Sequence, residues 1–222
     1  MVLVVWKVLS CYWCKCAVML DLEKRTPEQE EVAANALKDS KLLSDLLEGL
    51  FSNDREYRYN CFKALYLVSE DHPSTLYPRW EFFEGMLKSD SSTSNFQAIH
   101  ILANLARVDS EGKFEKVFDR FFSFLEGNEL IPASHVAYVS HKIVRAKPEL
   151  VDIVMERLLN LDGATYKHVE LVQANALGSF SEFFDRISAK DRVVSLAREL
   201  LQSNSAKAKK EAAAFLKKWN IK

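Results

Sequence analysis

Apolar residues recur at helical spacing along most of this 222-residue chain. They fall three or four positions apart, as they do along one face of an α-helix, and the strand-like alternation of apolar and polar residues is missing after residue 26. The clearest stripes lie at 61–68, 98–105, 136–143, 172–183 and 212–219. The pattern therefore predicts an all-α protein.

The helix boundaries follow from breaks in this pattern and from the prolines. Pro27 follows Thr26 in a combination that starts helices, and Pro73, Pro132 and Pro148 also fall where a missing N–H group costs little. We predict helices at 27–38, 40–51, 55–70, 74–88, 93–108, 111–126, 133–146, 148–160, 165–185, 189–202 and 206–219.

Short polar breaks recur along these helices at a nearly constant interval, one for every two helices. The breaks begin at Ser52, Ser89, Glu126, Leu161 and Ser203, which lie 37, 37, 35 and 42 residues apart. Such a period is typical of solenoids, in which each helical unit contacts only its neighbours. The sequence therefore predicts a right-handed α-α superhelix of about five helix pairs.

The segments AIHILANLA at 98–106, VQANALG at 172–178 and EAAAFL at 211–216 are similar to the second helix of a repeat in HEAT and armadillo-type proteins. The resemblance extends over about 28–219. It implies a single HEAT-like repeat domain over 27–222, with the second helices lining a concave surface. A repeat fold of this kind says little about function.

The first 26 residues differ in character from the rest. Residues 2–20 are apolar, but Lys7 and Lys15 interrupt them, and the remaining runs are shorter than the roughly 20 residues of a membrane-spanning helix. This leader is either poorly ordered, or packed as a helix on the first repeat, or a site of metal, acyl or membrane chemistry. Cys11, Cys14 and Cys16 lack a nearby fourth ligand, so we expect no structural metal there.

The charges of the chain nearly cancel. It has 30 Lys and Arg against 31 Asp and Glu, so no global field attracts nucleic acid or a membrane surface. Near the C-terminus, however, basic residues collect on the last predicted helix, either as the solvated end of a solenoid or as a pad for an acidic partner. The residues of this basic pad are Lys207, Lys210, Lys217 and Lys218.

Motifs that carry enzyme chemistry are missing from the sequence. It contains no Gly-rich phosphate loop, no H-E-x-x-H, no G-x-S-x-G and no dinucleotide fingerprint. The histidines form no i, i+4 pair that could hold a metal on one helix. We therefore expect no catalytic residues, no cofactor and no metal. The cysteines form no secreted disulfide framework, so a reducing, cytoplasmic setting is expected.

The expected partner-binding residues come from helix geometry. Projection at about 100° per residue places one set of polar side chains opposite the apolar stripes of two second helices. These residues are His100, Asn104, Arg107, Tyr138, Lys142 and Arg145. Tyr and Arg dominate the binding energy of many protein interfaces.

The expected function is a non-enzymatic scaffold or adaptor that binds a protein or peptide on its concave face. The first alternative is a nucleic-acid-binding HEAT-like protein of the DNA glycosylase type, against which the nearly neutral charge argues. The second is membrane-proximal scaffolding through residues 1–20. The oligomeric state stays open.

The helix phase also predicts how two substitutions affect stability. Phe118 lies within the apolar stripe of 111–126, so Phe118→Ala is expected to be strongly destabilising. Lys142 is expected to point away from the core, so Lys142→Ala should have little effect.

Overall fold

The computed structural model describes Leu22 and residues 24–221, and every regular element in these residues is helical. The α-helices are α1 (Pro27–Ala36), α2 (Ser40–Gly49), α3 (Arg55–Asp71), α4 (Pro73–Leu76), α5 (Trp80–Leu87), α6 (Ser92–Leu105), α7 (Lys113–Phe122), α8 (Leu130–Ala146), α9 (Val151–Leu159), α10 (Val169–Phe180), α11 (Lys190–Leu200) and α12 (Ala206–Lys218). Short 3₁₀ turns occupy Tyr77–Arg79, Ala106–Val108, Ser123–Glu126, Pro148–Leu150 and Phe184–Arg186. The all-α prediction is confirmed.

The chain divides into two compact units, Met1–Val68 and Ser69–Lys222, and the boundary falls within α3. The predicted cysteine-containing leader lies almost entirely outside the described residues, and so does the prediction about its metal content. A single repeat domain over 27–222 stays a prediction.

The described part of the first unit contains α1, α2 and most of α3. Thr26 and Gln29 form a capping box at the start of α1, and the carboxylate of Asp39 caps α2 by accepting from two backbone N–H groups. Gly49 ends α2 against α3, where a Cβ atom would collide with Sγ of Cys61. The two helices therefore approach each other as closely as a glycine allows.

In the second unit the longer helices pack in chain order. Helix α6 packs against α8, α8 against α10, and α10 against α12. Helices α5, α7, α9 and α11 pack against α6, α8, α10 and α12 in turn. The polar breaks that begin at Ser89, Glu126, Leu161 and Ser203 thus lie between the two helices of each pair.

Side-chain hydrogen bonds in the second unit repeat the period of the sequence. The Tyr77 hydroxyl donates to Asp109, 32 residues further on, and the Ser179 hydroxyl donates to the carbonyl of Ala137, 42 residues earlier. The bonds from Ser92 to Glu129 and from Ser188 to Asp152 span 37 and 36 residues. Residues one helix pair apart are therefore neighbours in space.

The core of the second unit is rich in aromatic side chains. Phe114, Phe121 and Phe122 of α7 are fully buried, and α6 is buried on all sides from Ser94 to Leu105. Burial on every side follows from the position of α6, which has α5 and α8 as neighbours.

Most α-helices are shorter in the structure than predicted, and two of them differ for identifiable reasons of backbone conformation. The segment predicted at 74–88 is divided by a 3₁₀ turn that contains Pro78, which has no N–H to continue an α-helix. The segment predicted at 165–185 begins only at Val169, because His168 has a left-handed backbone with φ 65°.

A buried carboxylate connects three segments of the second unit. The Asp109 carboxylate accepts from the Tyr77 hydroxyl at 2.7 Å and from the backbone N–H groups of Lys113 and Phe114 at 2.9 and 2.8 Å. Nζ of Lys147 lies 3.0 Å from Asp109 Oδ2, and the Asp109 side chain is 0% exposed. Burial alone would raise the pKa of Asp109, but these hydrogen bonds outweigh it and bring the pKa to about 2. The carboxylate is therefore charged and fixed.

Candidate functional site

A cleft of about 200 Å³ lies between α6, α8 and the last turn of α3. All of its lining residues belong to the second unit: Glu70, Ala103, Asn104, Arg107, Lys142, Arg145 and Ala146. We name it the basic cleft.

Helical spacing brings these side chains to one place. On α6 and the turn that follows, Asn104 and Arg107 are three residues apart, and on α8 Lys142 and Arg145 have the same spacing. Residues three apart share a helix face. Since α6 and α8 are neighbours, the two pairs meet across the cleft.

A hydrogen-bonded network fixes the inner part of the cleft. Nζ of Lys142 donates to Oδ1 of Asn104 at 2.7 Å and to Oε1 of Glu70 at 3.2 Å. Asn104 Nδ2 in turn donates to the Ser69 hydroxyl at 2.9 Å. The Lys142 side chain is only 19% exposed. Burial lowers its pKa, and the neighbouring Arg145 and Arg107 add to that effect while Glu70 opposes it.

The two arginines lie at the outer part of the cleft, where both residues are exposed. Nη2 of Arg107 donates to the backbone carbonyl of Glu70 at 2.7 Å. Nη2 of Arg145 lies 3.7 Å from Oε2 of Glu182, which also accepts from Lys218. The Glu70 carbonyl thus positions the guanidinium of Arg107, and the Glu182 carboxylate positions that of Arg145.

The structure brings together four of the six predicted site residues: Asn104, Arg107, Lys142 and Arg145. Tyr138 is half-buried on α8, one turn before Lys142, and does not line the cleft. His100 lies in the core instead.

The prediction that the side chains of His100 and Asn104 on α6 point away from the core was wrong. His100 is 1% exposed and Asn104 is 7% exposed. The projection assumed one covered face per helix, whereas both α5 and α8 pack against α6, which is buried from Ser94 to Leu105. The expectation that Lys142 points away from the core is also wrong, because its side chain is only 19% exposed. Removing it would leave Asn104 Oδ1 and Glu70 without this donor.

Two residues at the edge of the cleft, Ser69 and Glu70, were missed in the sequence. Asn104 and Arg107 contact them at separations of 35 and 37 residues. The repeat period was the signal that could have found them, because equivalent positions of successive helix pairs are adjacent.

Beside the cleft, α6 and α8 bury a pair of histidines. Nε2 of His100 lies 2.9 Å from Nδ1 of His135, and the ring of Phe96 packs against both imidazoles. Burial lowers the pKa of His135 to about 3, with a further contribution from Lys207. Burial also places the pKa of His100 well below its usual value. Both rings are therefore neutral at physiological pH.

The histidine pair predicts acid sensitivity. In the unfolded chain these groups take up protons below about pH 6.5, whereas the folded protein holds them neutral. Stability is therefore present at neutral pH and is lost as the pH falls below the unfolded pKa. From pH 6 to pH 5 we expect the free energy of unfolding to fall by about 2 kcal/mol from this pair.

Urea denaturation at both pH values measures this loss. His135→Gln should reduce the pH-dependent difference by about 1 kcal/mol, with the lowered pKa of the half-buried His141 contributing to what remains. Imidazole nitrogen shifts of the folded wild type provide an independent measurement. A protonated His135 at pH 5 would contradict the prediction.

The predicted basic pad divides into two kinds of lysine. Lys207 donates to Oδ1 of Asn175 at 2.8 Å, and Lys218 donates to the Ser181 carbonyl at 2.6 Å. Lys210 and Lys217 are exposed on α12. Only these last two present their charges mainly to solvent.

A Lys–Asn pair recurs along the row of longer helices. Lys207 of α12 donates to Asn175 of α10, as Lys142 of α8 donates to Asn104 of α6. The separations are 32 and 38 residues. The same polar contact thus joins two successive helix pairs.

Comparison with protein-family models, curated proteins and solved structures gives no match. Among Leu22 and residues 24–221, no group of three or more His, Cys, Asp or Glu side chains could hold a metal ion. No helix in this part of the chain combines the length and apolar character needed to cross a membrane.

Proposed function

We propose that the chain is a non-enzymatic cytoplasmic scaffold, built as a HEAT-like right-handed superhelix of about five helix pairs. The packing of α6, α8, α10 and α12 in chain order supports this architecture, as do the hydrogen bonds that join residues one period apart. In this architecture the row of longer helices lines the concave surface.

The basic cleft is the observation that carries the functional proposal. It places the cations Arg107, Lys142 and Arg145 around a single lining carboxylate, Glu70. Glu70 is engaged by Lys142, so it is held as a structural partner rather than a general base. A site that offers positioned donors is suited to binding an acidic segment of a protein or peptide.

Site-specific cross-linking tests this function. A photoreactive amino acid at Ala146, a cleft residue, should cross-link the partner from native lysate, whereas the same amino acid at the exposed Ala213 of α12 should not. Arg107→Gln combined with Arg145→Gln should reduce the cross-linked yield about tenfold or more, since arginines at interface centres commonly act as hot spots.

A matched charge change is the control. Arg79→Gln combined with Lys116→Gln also removes two exposed positive charges, but from positions outside the cleft, and should leave the yield unchanged. Equal yields from the cleft variant and the wild type would refute the proposed site. A yield that a DNA or RNA oligonucleotide abolishes would favour nucleic-acid binding instead.

A further inference from the structure

We propose that the basic cleft binds a phosphate monoester, carried by a phosphorylated side chain of the partner protein. This inference rests on the proposed function and specifies the chemical group that the partner presents. It follows from the charge, the donor geometry and the shape of the cleft.

The charge of the cleft matches a dianion. Arg107, Lys142 and Arg145 provide three positive charges and Glu70 one negative charge, which leaves an excess of two. Adding the adjoining Glu182 and Lys218 adds one charge of each sign and leaves this excess unchanged. A phosphate monoester carries about −1.5 to −2 charges at pH 7, whereas an Asp or Glu side chain carries one.

The donors stand at two depths. Lys142 lies in the inner part of the cleft, and the two arginines lie at its exposed outer part. A guanidinium has five N–H groups in one plane and binds phosphate oxygens in pairs. The contacts to the Glu70 carbonyl and to Glu182 position Arg107 and Arg145 while most of their N–H groups remain for a ligand. Three cations around one space suit a group with three terminal oxygens.

The cleft has room for a compact chemical group. Two of the lining residues, Ala103 and Ala146, have small side chains. The volume of about 200 Å³ accommodates a phosphoryl group together with the side-chain carbons that carry it. The like-charge effect of the two arginines on Lys142 points the same way, because an anion between the three cations relieves their repulsion.

A titration of the full chain with small probes tests the inference. The probes are N-acetylphosphoserine amide, N-acetylglutamate amide and the neutral N-acetylserine amide, all at one ionic strength. Side-chain Nε–Hε signals of the nitrogen-15-labelled protein report binding at individual arginines. We expect saturable shifts at Arg107 and Arg145 with the phosphoserine probe and affinity about tenfold higher than for the glutamate probe.

Variants separate the cleft from general charge attraction. Arg107→Gln and Arg145→Gln should each weaken the binding of the phosphoserine probe about tenfold, and Arg79→Gln should leave it unchanged. The neutral serine probe should not shift the Nε–Hε signals of either arginine. Equal affinity for the phosphoserine and glutamate probes, or equal weakening by Arg79→Gln, would overturn the inference.

Phosphatase treatment of the lysate distinguishes this inference from the proposed function. If cross-linking at Ala146 needs the two arginines but survives phosphatase, the cleft binds a partner through another group and the phosphate inference is wrong. If the arginine variant cross-links as well as the wild type, the proposed function itself fails. Loss of the cross-link after phosphatase, together with the probe titration, supports both.

Discussion

Replacing Asp109 by alanine is expected to lower the free energy of unfolding of the second unit by about 3–5 kcal/mol, the usual cost of breaking a buried ion pair. The substitution removes the carboxylate but leaves the Lys147 ammonium, whose side chain is only 9% exposed, with Glu115 at 2.8 Å as its remaining carboxylate partner. It also removes the acceptor of the Lys113 and Phe114 N–H groups at the start of α7. No other side chain caps this end of the helix, because its N-cap position is Gly112.

Urea denaturation of Asp109→Ala and Asp119→Ala measures this effect. Asp119 lies on α7, the helix that Asp109 caps, but its side chain is 88% exposed, and exposed ion pairs contribute little to stability. Asp109→Asn should fall between Asp109→Ala and the wild type, since an amide oxygen can still accept one N–H group. A cost for Asp109→Ala similar to that of Asp119→Ala would show that the buried network is not required.

The carboxylate also gives the protein a second acid-sensitive step. The folded pKa of Asp109 is about 2, below the value of about 3.9 for an unfolded aspartate. Its contribution to stability is therefore present above about pH 4 and is lost as the pH falls towards 2. This range lies below that of the histidine pair, so the Asp109→Ala variant should retain the loss between pH 6 and pH 5.

Phe118→Ala is expected to cost about 3–5 kcal/mol, the range for truncation of a buried phenylalanine to alanine. Phe118 is 9% exposed, and its ring centroid lies 4.6 Å from that of Phe122 and 6.3 Å from that of Phe114. The guanidinium of Arg157 also lies 6.0 Å from its ring centroid. Truncation therefore removes ring contacts on several sides and leaves a cavity.

Lys116→Ala is the appropriate comparison on the same helix, because Lys116 is exposed whereas Lys142 is held inside the basic cleft. Its cost should stay within about 0.5 kcal/mol. Hydrogen exchange can locate the damage from Phe118→Ala. Amides of α5 and α8, which contact α7, should exchange faster, and those of α12 should change less. Equal midpoints for Phe118→Ala and Lys116→Ala would contradict the assigned packing of α7.

The sequence was most informative where a helix has one covered face. The apolar stripe of 111–126 contains Phe114, Phe121 and Phe122, and all three are fully buried. One face of α7 is apolar and the other is charged, so the helical period alone shows which of its side chains are buried. The site was partly predictable for a related reason, since Arg107 and Arg145 lie at exposed positions and fall on the helix faces that the projection assigned.

Only the tertiary structure could show the contacts of polar residues on a helix that several neighbouring helices cover. His100 and Asn104 are polar residues in a helix buried on all sides, and their partners, His135, Ser69 and Lys142, belong to other helices. Helical periodicity contains no information about which polar group lies opposite another across an interface. That depends on how neighbouring helices are shifted along each other, which is set by the packing of the large side chains between them.

The chain by itself therefore determined the helical character and the period of the polar breaks, because apolar spacing and the prolines act within a few residues of each other. The packing of α6 against α8 decided the rest. It placed Lys142 against Asn104 and Glu70, so that this lysine is the inner cation of the basic cleft. The two arginines lie at the outer part of the cleft. A side chain's surroundings depend on residues far apart in sequence, and burial and charge pairing are properties of those surroundings rather than of the local pattern.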